Sequence, residues 1–347
     1  MKIPNQNMAK KIKFAIVGAG RIGKRHAAMV KLNQSAELVA IIDIDPSLEL
    51  DLKQEFDVPF FETMEAFFAA DISVDVVNIC TPNHLHASQA MLALRNNAHV
   101  VVEKPMALAK VDAEMVIHES LQVNKRVFCV MQNRYSPPSR WLKKIVEEDL
   151  LGKIYMVNIN CFWNRDADYY RGGDKNYWKG KKEKDGGTLF TQFSHFLDTM
   201  FWLFGDIKNI QASFYDFNHQ EVTEFEDSGI VQFEFVKGGA GSLNYSTSVY
   251  GQNMESSISI IGENGSVKVG GQYMNEIVYC HIKDYQAPKL EETLPPNDYG
   301  KYKGSAANHQ FVIQNVVDTL LNNKKVTTNS LEGLKVVEII ENIYSRK

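Results

Sequence analysis

At 347 residues the chain has room for two domains, and its 44% hydrophobic content is that of a globular protein with sizeable cores, which excludes a disordered polymer. A formal net charge of -4, spread over interleaved acidic and basic residues, leaves no footprint for nucleic acid or a membrane surface, so a small or anionic ligand has to be recognised locally. The four cysteines (Cys80, Cys129, Cys161, Cys280) lie far apart and form no C-x-x-C pair, which points to reduced core residues rather than a disulfide framework.

Met1 to Lys11 is polar and lacks the apolar stretch of a signal peptide, and no run reaches the ~20 apolar residues of a membrane span, so a cytoplasmic protein is expected. From Lys13 to about Met131, short apolar runs (Phe14-Val17, Leu38-Ile42, Val76-Cys80, Val100-Val102, Val127-Val130) alternate with amphipathic stretches, the pattern of βαβ units around a parallel sheet. The first run leads directly into Gly18-Ala19-Gly20-Arg21-Ile22-Gly23 and then a helix. In that context Gly18 permits a tight turn, Gly20 lets the backbone approach a pyrophosphate, and Gly23 allows close packing beside a helix amino terminus that favours phosphate. A cluster of packing glycines is the alternative. Asp43 ends the next strand, where a carboxylate can accept hydrogen bonds from ribose hydroxyls and would repel a 2′-phosphate, so NAD is expected over NADP. Read locally, Asp43 is equally a turn residue before Asp45-Pro46.

The Val76-Cys80 strand ends in Thr81-Pro82-Asn83-His84-Leu85-His86, small polar groups able to reach a nicotinamide ribose, or a plain helix-starting turn. Val100-Val102 ends in Glu103-Lys104-Pro105. Ligands of an open parallel sheet lie beyond the carboxyl ends of its strands, so Lys104 faces the nicotinamide, and hydride chemistry follows. Gln132-Asn133-Arg134-Tyr135 comes after the last run, and Asn133 and Arg134 can reach nicotinamide or substrate. Ser136-Pro137-Pro138 then breaks the pattern ahead of a helix near Ser139. The domain change is expected here, with a dinucleotide-binding Rossmann domain over 1–134 and an α+β domain over 135–347. Beyond it the strands are longer and successive: Ile154-Phe162, Ile207-Phe217, Gly229-Phe235, Ala240-Ser248, Ser256-Ile261, Ser266-Val269 and Ile277-His281. Turn chemistry at Lys237-Gly238-Gly239 and Asn264-Gly265 predicts sequential hairpins in a mostly antiparallel, open-faced sheet. Two amphipathic helices, about Ala307-Asn322 and Leu331-Ser345, close the chain.

The glycine fingerprint, Thr81-His86, Glu103-Lys104-Pro105 and the segment Asp185-Gly186-Gly187-Thr188-Leu189-Phe190-Thr191-Gln192-Phe193-Ser194-His195-Phe196-Leu197-Asp198 together resemble the glucose-fructose oxidoreductase and inositol dehydrogenase (Gfo/Idh/MocA) superfamily over nearly the whole chain. By that resemblance His195 is the catalytic histidine. Read alone, it is a core residue of an aromatic helix. The resemblance also implies cofactor contacts from Gly18, Gly20, Arg21, Ile22, Gly23, Asp43, Thr81, Pro82, Asn83, His86, Glu103, Lys104 and Asn133, and homo-oligomers, dimers or tetramers, with the second domain serving substrate binding and assembly. Gly152 to Asn158, Phe162-Trp163-Asn164-Arg165 and Tyr169-Tyr170 are similar to the bacterial dehydrogenases of UDP-N-acetylglucosaminuronic acid, which oxidise the sugar C3 hydroxyl on the way to surface polysaccharides. Thr191 stands where the wider family has aspartate and that subgroup asparagine, and Trp178-Lys179-Gly180-Lys181 replaces the usual Trp-Arg-Gly-Thr behind a loop containing Arg171, Gly172 and Gly173.

Removing hydride from a carbinol carbon requires a base for the hydroxyl proton and a cation for the developing alkoxide. His195 and Lys104 suit these roles, in either order. Arg165 is the first candidate for a substrate carboxylate, or else an exposed strand arginine. Tyr170, Lys179, Thr191 and Gln192 complete the expected substrate contacts. A dehydrogenase of another sugar or polyol, an NAD-dependent glycosidase and a silent cofactor-binding sensor are the competing readings.

Overall fold

The structure is a computed structural model that describes residues 10–171, 177–298 and 300–347. Met1 to Ala9 and the predicted loop glycines Gly172 and Gly173 lie outside the described residues. The first half runs β1 (Ile12–Val17), α1 (Arg21–Leu32), β2 (Ala36–Ile42), α2 (Glu49–Phe56), β3 (Phe60–Phe61), α3 (Met64–Ala69), β4 (Val76–Ile79), α4 (His86–Arg95), β5 (His99–Val102), α5 (Lys110–Gln122) and β6 (Val127–Cys129). Its six strands are all parallel in the order β3-β2-β1-β4-β5-β6, which reverses direction between β1 and β4 and opens the ligand crevice there. Side chains alternate across this sheet with period two. Val17, Ile79, Val100 and Val102 pack under α4 and α5, while Ile16, Val101 and Phe128 pack on the opposite face.

The second half runs α6 (Pro137–Glu147), β7 (Ile154–Phe162), α7 (Ala167–Arg171), α8 (Lys182–Asp185), α9 (Ser194–Phe204), β8 (Ile207–Tyr215), β9 (Ser228–Phe235), β10 (Ala240–Ser246), β11 (Glu255–Gly262), β12 (Gly265–Gly270), β13 (Glu276–Ile282), β14 (Pro296–Asp298), β15 (Lys303–Ala306), α10 (His309–Asn322) and α11 (Ser330–Tyr344). α6 opens on Pro137, whose fixed φ and missing amide suit a first helical position. A seven-stranded sheet has the order β13-β12-β11-β7-β10-β9-β8. The two predicted hairpins, β9 with β10 and β11 with β12, are present. Sequential pairing fails at one place: β7 lies between β10 and β11, parallel to the first and antiparallel to the second. One face of this sheet (Val157, Ile159, Cys161, Val231, Phe233, Leu243, Ile258) is buried by α6, α9 and α11. The other is open.

The chain's end returns to the first sheet. α10 places Val312, Ile313, Val316 and Val317 in the core around Ile16, Val101 and Phe128. α11 starts at a capping box, in which the Asn329 side chain accepts from Glu332 N–H and the Glu332 side chain from Asn329 N–H. The same Glu332 reaches Arg134 Nη1 at 2.7 Å, and Arg134 grips Asp198 of α9 through Nε (2.9 Å) and Nη2 (2.6 Å), both partners wholly buried. Arg134 therefore joins the nucleotide half to α9 and is turned away from any ligand.

Candidate active site

The glycine loop separates its own needs from those of a ligand. Gly18 has φ +88°, and a Cβ there would come within 2.8 Å of the Cys80 carbonyl. A Cβ on Gly23 would lie 1.8 Å from Gly18 O. Both glycines are required by the loop's packing. Gly20, the N-cap of α1 with φ -63°, would meet nothing within 4 Å if given a Cβ. The space above it is open, and the α1 amino terminus has no side-chain cap and no acidic residue in its first turn, which suits a phosphate. Arg21 is exposed and Ile22 half-buried at the same end. Asp43 Oδ2 accepts from Ala19 N–H at 2.6 Å and Oδ1 from Asp45 N–H at 3.0 Å, so its carboxylate is pinned beside the glycine loop with acceptor capacity to spare. These residues fit a dinucleotide.

At the carboxyl edge of β4, β5 and β6 the loops are cross-braced. His86 presents Nδ1 to Pro105 O (2.7 Å) and Nε2 to Thr81 O (2.8 Å), so this histidine ties two loops together instead of facing a ligand. Pro82 introduces the 3-10 turn Asn83–Leu85. Asn83 Nδ2 donates to Asp185 O and to Thr191 Oγ1, both at 2.8 Å, which joins the cofactor side to the second domain. Glu103 also points inward. Its Oε1 lies 3.0 Å from His26 Nε2 and 3.6 Å from His309 Nε2, and Oε2 accepts from Lys104 N–H at 3.2 Å. Burial opposes its charge, but these imidazole contacts hold its carboxyl well below the usual range. Asn78 Nδ2 donates to His26 Nδ1 at 3.0 Å, fixing Nε2 as the donor to Glu103. Asn133 follows β6, is 5% exposed, and its Oδ1 has no partner within the described protein. An orphaned buried acceptor at the edge of the sheet is what a nicotinamide carboxamide would satisfy.

Lys104 and His195 come together over this edge. Lys104 Nζ donates to Thr191 O. Burial lowers its pKa, opposed by Glu103, Tyr169 and Asp185. His195 is 2% exposed, and burial followed by the Lys104 charge pushes its pKa well down, so the ring is neutral. Its Nδ1 has no hydrogen-bond partner among the described residues. A single π-helical turn, Leu189–Phe193, precedes α9 and turns Thr191 and Gln192 toward the site.

The expected substrate residues divide. Arg165 is 3% exposed, not an open strand arginine. Its guanidinium donates to Gln192 Oε1 (2.9 Å), Asn164 O (2.6 Å), Asn253 Oδ1 (3.3 Å) and Lys303 O (3.1 Å), all neutral acceptors. Gln192 passes the contact on, donating to the Tyr169 hydroxyl at 2.9 Å. Lys179 Nζ sits 3.8 Å from the Tyr169 ring centroid. Tyr170 instead packs its ring against His219 and Phe225. The neighbour lines the site: burial would raise the Tyr169 phenol, yet Lys179 and Arg165 hold it below its ordinary value. Tyr169 was legible as one of an aromatic pair, but α7 decides which ring faces inward.

Asp185 has no counterpart among the expected site residues, although it opens the motif that leads to His195. It is fully buried; Oδ2 accepts from Gly180 N–H at 2.7 Å and Oδ1 from the Thr191 hydroxyl. Burial raises its pKa to about 6 against the pull of Thr191, Gly180, Lys179 and Lys104.

Residues 12–131 match the oxidoreductase family with an NAD-binding Rossmann fold, GFO/IDH/MocA, and residues 139–268 match the GFO/IDH/MocA C-terminal domain. The chain belongs to the Gfo/Idh/MocA oxidoreductase family. It is an NAD-dependent sugar oxidoreductase, with the parallel cofactor-binding sheet and mostly antiparallel second sheet of that family. It is similar to the WlbA dehydrogenase from Bordetella pertussis, solved in complex with NADH and UDP-GlcNAcA, at 31% identity and a TM-score of 0.85 over 97% of this chain and 96% of that one. WlbA from Chromobacterium violaceum, in the same complex, is likewise 31% identical, with a TM-score of 0.86 over 100% of this chain and 96% of that one. The myo-inositol 2-dehydrogenase of Thermotoga maritima is 24% identical over 265 residues, 74% of either chain. The resemblance to nucleotide-sugar-acid dehydrogenases is thus borne out. No helix among the described residues is long and apolar enough to cross a membrane.

Proposed function

We propose that this Gfo/Idh/MocA enzyme oxidises the C3 hydroxyl of UDP-N-acetylglucosaminuronic acid in the cytoplasm, as a step toward a surface polysaccharide. One observation carries the reading: Lys104, Arg165 and Lys179 converge around Tyr169 and Gln192, while Asp185 is, among the described residues, the one carboxylate facing both lysines there. Arg165 is buried against neutral acceptors and over the Trp163 and Tyr169 rings, with no carboxylate paired to it among the described residues, and its charge favours a substrate carboxylate or diphosphate. The likeness to two WlbA structures holding UDP-GlcNAcA supports the same substrate class.

NAD, when bound, accepts the hydride leaving the sugar carbon. His195, kept neutral by burial and by Lys104, takes the hydroxyl proton; Lys104 keeps two N–H groups beyond the one given to Thr191 O and steadies the alkoxide. NAD would be held by Asn133 at the nicotinamide, by the glycine loop at the pyrophosphate and by Asp43 at the adenosine ribose. The open face of the second sheet, where Met156, Ile230, Ile261 and Tyr279 stand exposed among Asn158, Asn160, Ser242 and Asn244, pairs with a second copy to form the oligomer.

The test is single-turnover absorbance at the NADH band after mixing NAD-loaded protein with UDP-N-acetylglucosaminuronic acid, UDP-N-acetylglucosamine, glucose or inositol, with His195→Ala as control. Reduction is expected with the uronate and lost in the variant. Reduction by a neutral sugar alone would overturn the substrate assignment.

A further inference from the structure

Among the described residues the carboxylate that faces both active-site lysines is Asp185, and its polar atoms are engaged on every side. Its Oδ1 accepts from the Thr191 hydroxyl, its Oδ2 holds Gly180 N–H at 2.7 Å next to Lys179, and its carbonyl accepts Asn83 Nδ2 at 2.8 Å. Thr191 in turn accepts Asn83 Nδ2 on its hydroxyl (2.8 Å) and Lys104 Nζ on its carbonyl. Asp185 thus touches, directly or through one residue, the loop after β4, the loop after β5, the Lys179 loop and the turn that leads to His195. A plain C-terminal residue of a short helix needs none of this, and a fully buried carboxylate is costly unless its charge serves a neighbour.

We propose that Asp185 is a positioning residue for Lys104: through the Thr191 hydroxyl it fixes the turn whose carbonyl receives the lysine, and its negative charge joins that of Glu103 in holding the lysine's proton. The inference rests on reading Lys104 as an active-site group. The charged and titratable groups facing Asp185 are Lys104, Lys179, Tyr169 and Tyr170; those facing Lys104 are Glu103, His86, Tyr169, Arg165 and His195. Glu103, which also engages two imidazoles, is the first counter-charge of Lys104, and Asp185 is the second carboxylate facing it. When Asp185 takes up a proton, Lys104 loses that counter-charge and its own proton leaves more easily.

The test is competitive trace acylation of the full-length protein with acetic anhydride across a pH series, following the Lys104 peptide by mass spectrometry, with thermal unfolding as a check on each variant. Removing a neighbouring carboxylate shifts a lysine by about one pH unit, so Asp185→Asn is expected to lower the Lys104 midpoint by that amount. Thr191→Val lowers it in the same direction, since a carboxylate stripped of its hydroxyl donor protonates more readily. Asp185→Asn combined with Thr191→Asp moves the carboxylate one hydrogen bond along and is expected to restore the midpoint. Activity adds a second readout: kcat falls at least tenfold in Asp185→Asn with little change in KM, and the acid limb of the wild-type profile, near the Asp185 value of about 6, disappears. A folded Asp185→Asn protein with the wild-type Lys104 midpoint overturns the proposal, as does a folded Thr191→Val protein unchanged in midpoint and kcat. The labelling needs no sugar, so failure of the substrate assignment would leave the Lys104 midpoints and their meaning unchanged.

Discussion

Gly20→Ala tests whether Gly20 serves a cofactor while Gly18 and Gly23 serve the fold. Its φ of -63° is open to alanine, and the added Cβ meets no protein atom within 4 Å. Two small effects on stability oppose each other: a stiffer unfolded chain stabilises by roughly 0.4–1 kcal/mol, and loss of glycine from an N-cap costs a few tenths up to about 1 kcal/mol. The net change should be within about 0.5 kcal/mol, a Tm shift of roughly 1–2 °C. Binding should respond differently, because the new methyl occupies space a pyrophosphate would enter; overpacking of about 1–3 kcal/mol corresponds to a loss of NAD affinity of roughly five- to 150-fold. Gly23→Ala is the converse control. Its Cβ would lie 1.8 Å from Gly18 O, a backbone atom that cannot swing aside, so the cost falls on folding, at about 3 kcal/mol or more. Urea unfolding without ligand and NAD titration by tryptophan fluorescence measure both. Gly20→Ala binding NAD like the wild type, or unfolding like Gly23→Ala, would refute the division of labour.

Arg134→Met should cost about 3–5 kcal/mol of stability in urea, because Asp198 is left buried without its partner; a change below about 1 kcal/mol would mean that water or another group replaces it. His219 donates to Asp227 and to Arg165 O, and these bonds outweigh burial and raise its pKa above 6.5. The sign follows: its contribution is fully present below 6.5 and fades as pH rises through the folded value, so the alkaline fall of Tm should flatten in His219→Asn, and identical slopes would remove the imidazolium from the account. Gln192→Ala should raise KM for an anionic sugar more than it lowers kcat, since it releases both Arg165 and Tyr169; an effect on kcat alone would place Gln192 with the proton transfer instead.

The nucleotide half was legible because each of its signals is local: a strand, three glycines at fixed spacing, a carboxylate at the end of the next strand. β3 and β14 with β15 are too short to leave a period. The insertion of β7 between β10 and β11 escaped for another reason, since hairpin chemistry at Gly238 and Gly265 specifies neighbours along the chain and says nothing of a strand arriving from far earlier in the sequence. At the candidate site, the nearness of Lys104 and His195 could be anticipated because contiguous motifs carry both. Glu103, His86 and Tyr170 matched the same kind of motif, yet their side chains are engaged within the protein. Only the fold reveals that Asp185 and Thr191, six residues apart, meet across a turn, or that His26 and His309 converge on Glu103 from opposite ends of the chain.

α9 carries His195 near its start and Asp198 one turn on, while Asn133 sits immediately before Arg134. The Arg134–Asp198 pair is therefore a strut between the turn that carries Asn133 and the helix that carries His195. An enzyme braced at that point cannot admit its substrate by swinging its halves apart without breaking the strut at each turnover. Any rearrangement that accompanies entry or release would leave this pair in place and fall to the residues around it.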